Sequence, residues 1–220
     1  MNMKMKILRS MVIVILVVMV VGIGVAAQAP QGGGQGADAG RGAGGGSGRG
    51  GQRGPVLNVT SSAWPDGSEV PMKYAGRGGN TSPAFEFSWM QGTTPAMPPA
   101  NLASYALIMH DIENAPRGGQ PDTLHWMIWD VPGTATGLKE GLPMGDLPDG
   151  TKQSTTNVGR GGYFGPGAGA GPFHHYVFEF YALDTKLNLP ATATRTEVLN
   201  AMEGHVIGKS AFVGRFHQTQ

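Results

Sequence analysis

His174-His175-Tyr176-Val177-Phe178-Glu179-Phe180-Tyr181 and Leu124-His125-Trp126-Met127-Ile128-Trp129-Asp130-Val131 are the stretches whose reading decides the fold class. The second is apolar on both faces, as a central strand covered on two sides must be. In the first, strand alternation sends His174, Tyr176, Phe178 and Phe180 to one face and His175 with Glu179 to the other. Working outward, short runs rich in β-branched and aromatic residues and bounded by Gly and Pro place strands at 56–62, 84–89, 104–110, 124–131, 174–183 and 211–216. No helix alternates with them. One helix is signalled near the C-terminus, where Thr194 and Glu197 form a capping-box pattern and Val198, Met202 and Val206 recur at four-residue steps. The fold class that follows is mainly β, an antiparallel sandwich or barrel with a short C-terminal helix.

The remainder of the 220 residues divides by composition. A basic start with Lys4, Lys6 and Arg9, an unbroken apolar run from Met11 to Ala27 and the triplet Val25-Ala26-Ala27 before Gln28 have the layout of a secretory leader over 1–27, cleaved after Ala27. A retained N-terminal anchor is the alternative, and under either reading the remainder is exported, periplasmic or secreted. Residues 28–54 form a Gly-rich tether: 31–54 carries 13 Gly and no large apolar side chain, too little to offset its ordering entropy. The folded domain is 55–220. There ten basic residues meet fourteen acidic ones, a net of −4, which argues against a nucleic-acid partner. The chain has no Cys, so disulfides, thiolate metal sites and a Cys nucleophile are excluded.

Three groups carry candidate chemistry. His125 shares a strand face with Met127 and Trp129 on simple alternation, and alone it reads as a core histidine. His174 and Tyr176 on one apolar face make it part of a polar cluster in a dry wall, as in ligand pockets, while His175 beside Glu179 reads as a solvated or structural pair. Asp111, at the end of Met109-His110-Asp111-Ile112-Glu113-Asn114-Ala115-Pro116, is presented where a strand gives way to a loop, and His110 points to the opposite face. The third group is the Gly- and Pro-rich stretch 143–172 with Tyr163-Phe164-Gly165-Pro166, whose backbone N–H groups suit an anion.

In order, Asn80-Thr81-Ser82-Pro83 leading to Ser88-Trp89, the run 105–116 followed by Leu124-His125-Trp126, Gly165-Pro166 and His174-His175-Tyr176-Val177-Phe178 resemble the phosphatidylethanolamine-binding protein family, in particular its bacterial Raf-kinase-inhibitor-like branch. Asp184 and Gly204-His205-Val206, placed in the helix, also fit. The resemblance covers nearly all of 55–220. It implies a Greek-key-type β-sandwich with a small pocket for phosphate-like anions and phospho head groups, lined by Asp111, Glu113, Pro116, His125, Gly165, Pro166, His174 and Tyr176. Two departures stand out. Glu113 and the extra Asn114 replace a compact Asp-Pro-Asp-Ala-Pro spacing, and Gly167-Ala168-Gly169-Ala170 replaces Cys-Pro-Pro.

The function expected is a non-enzymatic, exported binding protein for a small anionic ligand, with no catalytic residue, no cofactor and no resident metal. His125 and His174 would meet the anion, Tyr176 would add its hydroxyl and Gly165 an N–H, and Asp111 would fix a His tautomer or meet an ammonium group. Membrane contact is limited to the leader, modulation of a partner protein is compatible with the family, and a homodimer is left open. Two other readings are a metal-assisted hydrolase built on the His/Asp cluster, against which stands the lack of HExxH-type spacing or a nucleophile elbow, and a protease-inhibitor-type interaction module.

Overall fold

The computed structural model describes residues 54–115, 122–154 and 161–219. The leader and nearly all of the Gly-rich tether lie outside them. Among the described residues there are nine strands, β1 Val56–Thr60, β2 Phe85–Gln91, β3 Thr94–Ala96, β4 Ser104–Asp111, β5 Thr123–Pro132, β6 Gly137–Leu138, β7 Lys152–Gln153, β8 His174–Leu183 and β9 Val206–Phe216, with one α-helix, α1 Arg195–Met202, and a short 3-10 turn at Met72–Tyr74. They form two antiparallel sheets. The smaller is β1-β2-β3 with β6 also on β2, and the larger runs β7-β5-β4-β8-β9.

Burial explains the doubly apolar strands. Every residue of β4 is buried, because the large sheet is covered on both faces. Toward the small sheet, Phe85 of β2 meets Phe180 edge-on at 4.8 Å and Phe178 at 5.2 Å, and this cluster takes in Leu107, Trp126, Ile128 and Phe212. On the other face Ile108, Met127, Trp129 and Leu183 pack with Val198 and Met202 of α1. Each fully buried aromatic or branched side chain is worth about 1.5–3 kcal/mol of transfer free energy, so these two layers dominate cohesion.

The capping box is present: Thr194 Oγ1 accepts from Glu197 N at 3.2 Å, and Glu197 Oε2 accepts from Thr194 N at 2.7 Å. The expected continuation of the helix to Val206 is overturned. The helix stops at Met202, Gly204 takes φ +79°, and Val206, 43 % exposed, begins β9. A left-handed residue just past a helix end reverses the chain at least cost when it is Gly. The turn is pinned to the end of β8 by His205 Nδ1 and Asp184 Oδ1 at 2.8 Å. The fourth residue of β9, Lys209, is preceded by Gly208, which lies against Trp89; a Cβ there would stand 2.8 Å from the ring. That Gly hid the first half of β9 from the sequence pattern.

Candidate functional site

The site is assembled at the end of β4 and the start of β8. In their antiparallel register Asp111 faces Tyr176, so His174, two residues earlier on the same face, meets Asp111 on the diagonal. Asp111 is held by its own turn: Oδ1 accepts from the backbone N–H groups of Glu113 and Asn114, both at 3.1 Å. Its Oδ2 then accepts from His174 Nδ1 at 2.8 Å. Asp111 is 2 % exposed and His174 half-buried. A fixed acid thus orients a ring that reaches solvent.

His125 joins them for a reason that alternation does not supply. Met109 pairs with Trp126 but His110 with Leu124, so β5 carries one extra residue at His125. Such a bulge re-aims a side chain. The expectation that His125 shares the face of Met127 and Trp129 is therefore corrected: its ring stacks on Phe164 at 5.4 Å and meets Tyr176 edge-on at 5.0 Å, on the side of the inter-sheet core. Nδ1 donates to the Phe164 carbonyl at 2.8 Å. Burial lowers the pKa of His125 below the ordinary value, against the pull of that carbonyl, and keeps the ring neutral at pH 7.

Asp111, His125, His174 and Tyr176 line one cleft of about 390 Å³, together with Arg77, Thr123, Phe164 and the backbone of Gly167 to Gly169. Arg77, Thr123 and Phe164 were not singled out from the sequence as ligand contacts. A lone Arg in Gly76-Arg77-Gly78-Gly79 carries no periodic signal, and its place here is set by the loop that Gly165 approaches.

The other expected residues take different positions. Tyr176 lines the cleft, yet its hydroxyl accepts from Gly167 N and Ala168 N, both at 3.1 Å, so it fastens the loop. Burial pushes that hydroxyl well above its usual pKa. Gly165 N donates to Asn80 Oδ1 at 2.9 Å and is spent. A Cβ on Gly165 would fall 2.0 Å from the Tyr74 carbonyl oxygen, which is why Gly stands there. The Pro166 carbonyl accepts from Gly76 N at 2.8 Å. Gly165 and Pro166 thus dock the loop and are not among the residues lining the cleft. Pro116 lies outside the described residues.

Glu113 is exposed and not among the residues lining the cleft; its Oε1 stands 2.7 Å from His175 Nδ1 and its Oε2 accepts from His175 N at 2.7 Å. His175 was expected to pair with Glu179. Four strand residues span about 13 Å, too far for direct contact. Glu179 instead binds Lys209 at 2.8 Å and Tyr181 at 3.0 Å, and lies 3.6 Å from His110 Nε2. His110 Nδ1 meets Asp122, which also binds Arg195 of α1, so a separate charged cluster occupies the far face of the sheet. His110, the Lys209 ammonium and Tyr181 hold the Glu179 carboxyl down at about 2.

Around Asp111, the donor atoms of Asp111, Glu113 and His174 lie within 4.8 Å of one another. Two hydroxyls line the cleft among the described residues, and both are committed: Tyr176 to the loop and Thr123 to the Asn114 carbonyl at 2.9 Å.

Residues 60–217 match the model of the phosphatidylethanolamine-binding protein family. A UPF0098 protein of Methanothermobacter thermautotrophicus is 36 % identical over 163 residues, covering 74 % of this chain and 99 % of that protein. A Mycobacterium tuberculosis protein named as a lipoprotein, LppC, is 30 % identical over 73 % of this chain and 72 % of its own length. Among solved structures, a phosphatidylethanolamine-binding protein homologue of Chlamydia trachomatis superposes with a TM-score of 0.62 at 26 % identity, covering 74 % of this chain and 99 % of that one.

Proposed function

The chain belongs to the phosphatidylethanolamine-binding protein family, and on that footing we propose that it is an exported, non-enzymatic binding protein whose cleft takes a small oxyanion, either free phosphate or the phosphate of a head group. The observation that carries this is the Asp111–His174 pair opening into a cleft that Arg77 also lines. His174, oriented through Nδ1 by Asp111, turns its other ring nitrogen to the cleft as a hydrogen-bonding group for an oxyanion. Arg77 supplies a permanent cation with donors in a fork that fits an oxyanion. His125, neutral, shapes the wall and offers its ring to a protonated ligand oxygen.

The hydroxyls of the cleft support a non-enzymatic role. Asp111 and His174 are the orienting acid and base of a triad, but Thr123 and Tyr176 hydroxyls are engaged elsewhere and neither is bonded to His174. Export is supported by the leader-like start and by the relative named as a lipoprotein. Modulation of a partner protein stays part of the proposal through family membership alone.

Calorimetric titration of the protein with sulfate tests the reading, sulfate being an anion of constant charge. One-site binding weakened by His174→Ala and by Arg77→Ala is expected. Binding that neither substitution changes would overturn it.

A further inference from the structure

We propose that Asp111, Glu113 and His174 form a binding site for a divalent transition-metal cation, best matched by Zn2+, and that a cation bound there strengthens oxyanion binding in the same cleft; this coupling rests on the oxyanion reading, whereas the metal site does not.

The charges around the cleft motivate it. Asp111 and Glu113 bring two carboxylates, His125 is neutral through burial, and Arg77 is the cation lining the cleft among the described residues. An entering oxyanion therefore meets a buried carboxylate, 2 % exposed, at the foot of its site. A divalent cation at that point reverses the local sign.

The geometry permits one. The three donor atoms lie within 4.8 Å of one another. Zinc bonds of about 2.0–2.2 Å in a tetrahedral site need donors about 3.3–3.6 Å apart, so closing requires shifts of about 1 Å. Asp111 is the fixed member, since its turn holds Oδ1 and leaves Oδ2 on His174. The movable members are His174 and Glu113, with side chains 30 % and 36 % exposed. One imidazole with two carboxylates is a donor set for zinc or manganese, and three protein ligands leave the fourth position open to the cleft. The ligands come from a β4 turn and the first residue of β8, which is why no sequence spacing announces them.

The coupling follows from the tautomer. A cation replacing the proton on Nδ1 of His174 leaves the ring hydrogen on Nε2, the donor an oxyanion needs, without requiring the ring to be protonated. The open position would take an oxyanion oxygen directly. Glu113 has first to leave His175, which holds it by two 2.7 Å contacts. Metal binding and the His175 contact compete for the same carboxylate.

Titrating the untagged protein with ZnCl2, freed of metal beforehand, tests this by calorimetry. One equivalent is expected, with affinity reduced about tenfold or more in His174→Ala and in Glu113→Gln, and unchanged or higher in His175→Ala, which releases Glu113. Circular dichroism melts of the variants establish that they are folded, and His174, at the rim, is the tolerant position if Glu113→Gln is not. No binding, or binding equal in His174→Ala, overturns the site. Sulfate titrated with EDTA and with saturating Zn2+ reads the coupling: a rise with zinc supports it and no rise overturns it. Sulfate binding in neither condition, beside intact zinc binding, removes the oxyanion reading and the coupling and leaves the metal site standing.

Discussion

His174 Nδ1 stands 2.8 Å from Asp111 Oδ2, although 63 residues separate the two in sequence. The register of β4 with β8 creates the pair, and the Asx turn of Asp111 makes the carboxylate the fixed partner. The ring is therefore positioned before any ligand arrives, which lowers the ordering cost of binding. In His174→Ala that pre-positioned donor is gone. Loss of one charge-assisted hydrogen bond is worth about 1.5–3 kcal/mol, so sulfate affinity is expected to fall about ten- to a hundredfold. His175, exposed and held by Glu113, does not line the cleft, so His175→Ala is expected to leave it within about twofold. Equal losses in the two variants would show that the anion sits elsewhere.

Tyr176→Phe keeps the buried ring and deletes one oxygen. That oxygen accepts two backbone N–H groups, from Gly167 and Ala168. A buried donor left without its acceptor costs about 1–3 kcal/mol; Ala168 is buried, whereas Gly167 reaches water. The melting temperature is expected to fall by several degrees, at about 2–4 °C per kcal/mol for a chain of this size. Sulfate binding should weaken with it as the loop loosens. A melting curve superimposable on the parent's would refute the loop-fastening role.

Gly165→Ala probes the same loop from its other side. The added Cβ has only 2.0 Å to the Tyr74 carbonyl oxygen, a backbone atom, so the loop must move as a unit. Overpacking of this kind costs about 1–3 kcal/mol. Arg77 lies on the segment that Gly165 presses against, through Gly76. Both thermal stability and sulfate affinity are therefore expected to drop. A drop in stability alone would show that Arg77 is placed independently of the loop.

Where one strand's own pattern determined the outcome, the sequence was readable. β8 runs from His174 to Leu183, the span its alternation marks, and the helix begins at its capping box. Where a second segment decides, it was not. The face of His125 depends on an extra residue relative to β4, which β5 alone does not reveal. The N–H of Gly165 was free for a ligand on the sequence, but Asn80, 85 residues away, takes it. Likewise Glu113, not Glu179, finds His175, because a hydrogen bond needs a contact across strands and alternation reports only a shared face. Asp111, His125, His174 and Tyr176 do converge on one cleft. What they do there is set by neighbours that their own motifs do not contain.

The far face of the sheet gives the last prediction. Glu179 is held at about 2, below its ordinary 4.5, by His110 first and then by Lys209 and Tyr181. A carboxyl whose folded pKa is depressed contributes stability that is fully present above the unfolded value and is lost as pH falls through the folded one. The window here is about pH 4.5 down to about 2. Its side chain is 22 % exposed, and with solvent screening the contribution is on the order of 1–2 kcal/mol. Glu179→Gln removes the charge and keeps the shape. It is expected to be less stable than the parent at pH 7 by that amount, with the difference shrinking toward zero near pH 2. Asp122 and Glu113 also have lowered pKa values and titrate in both proteins, whereas His110, whose pKa Glu179 helps to raise, loses that partner in the variant, so the comparison is made within the Glu179 window below pH 4.5. Urea unfolding at pH 7, 4 and 2.5 reads the three points. A constant offset between parent and variant across that range would mean that Glu179 acts through packing and not through its charge.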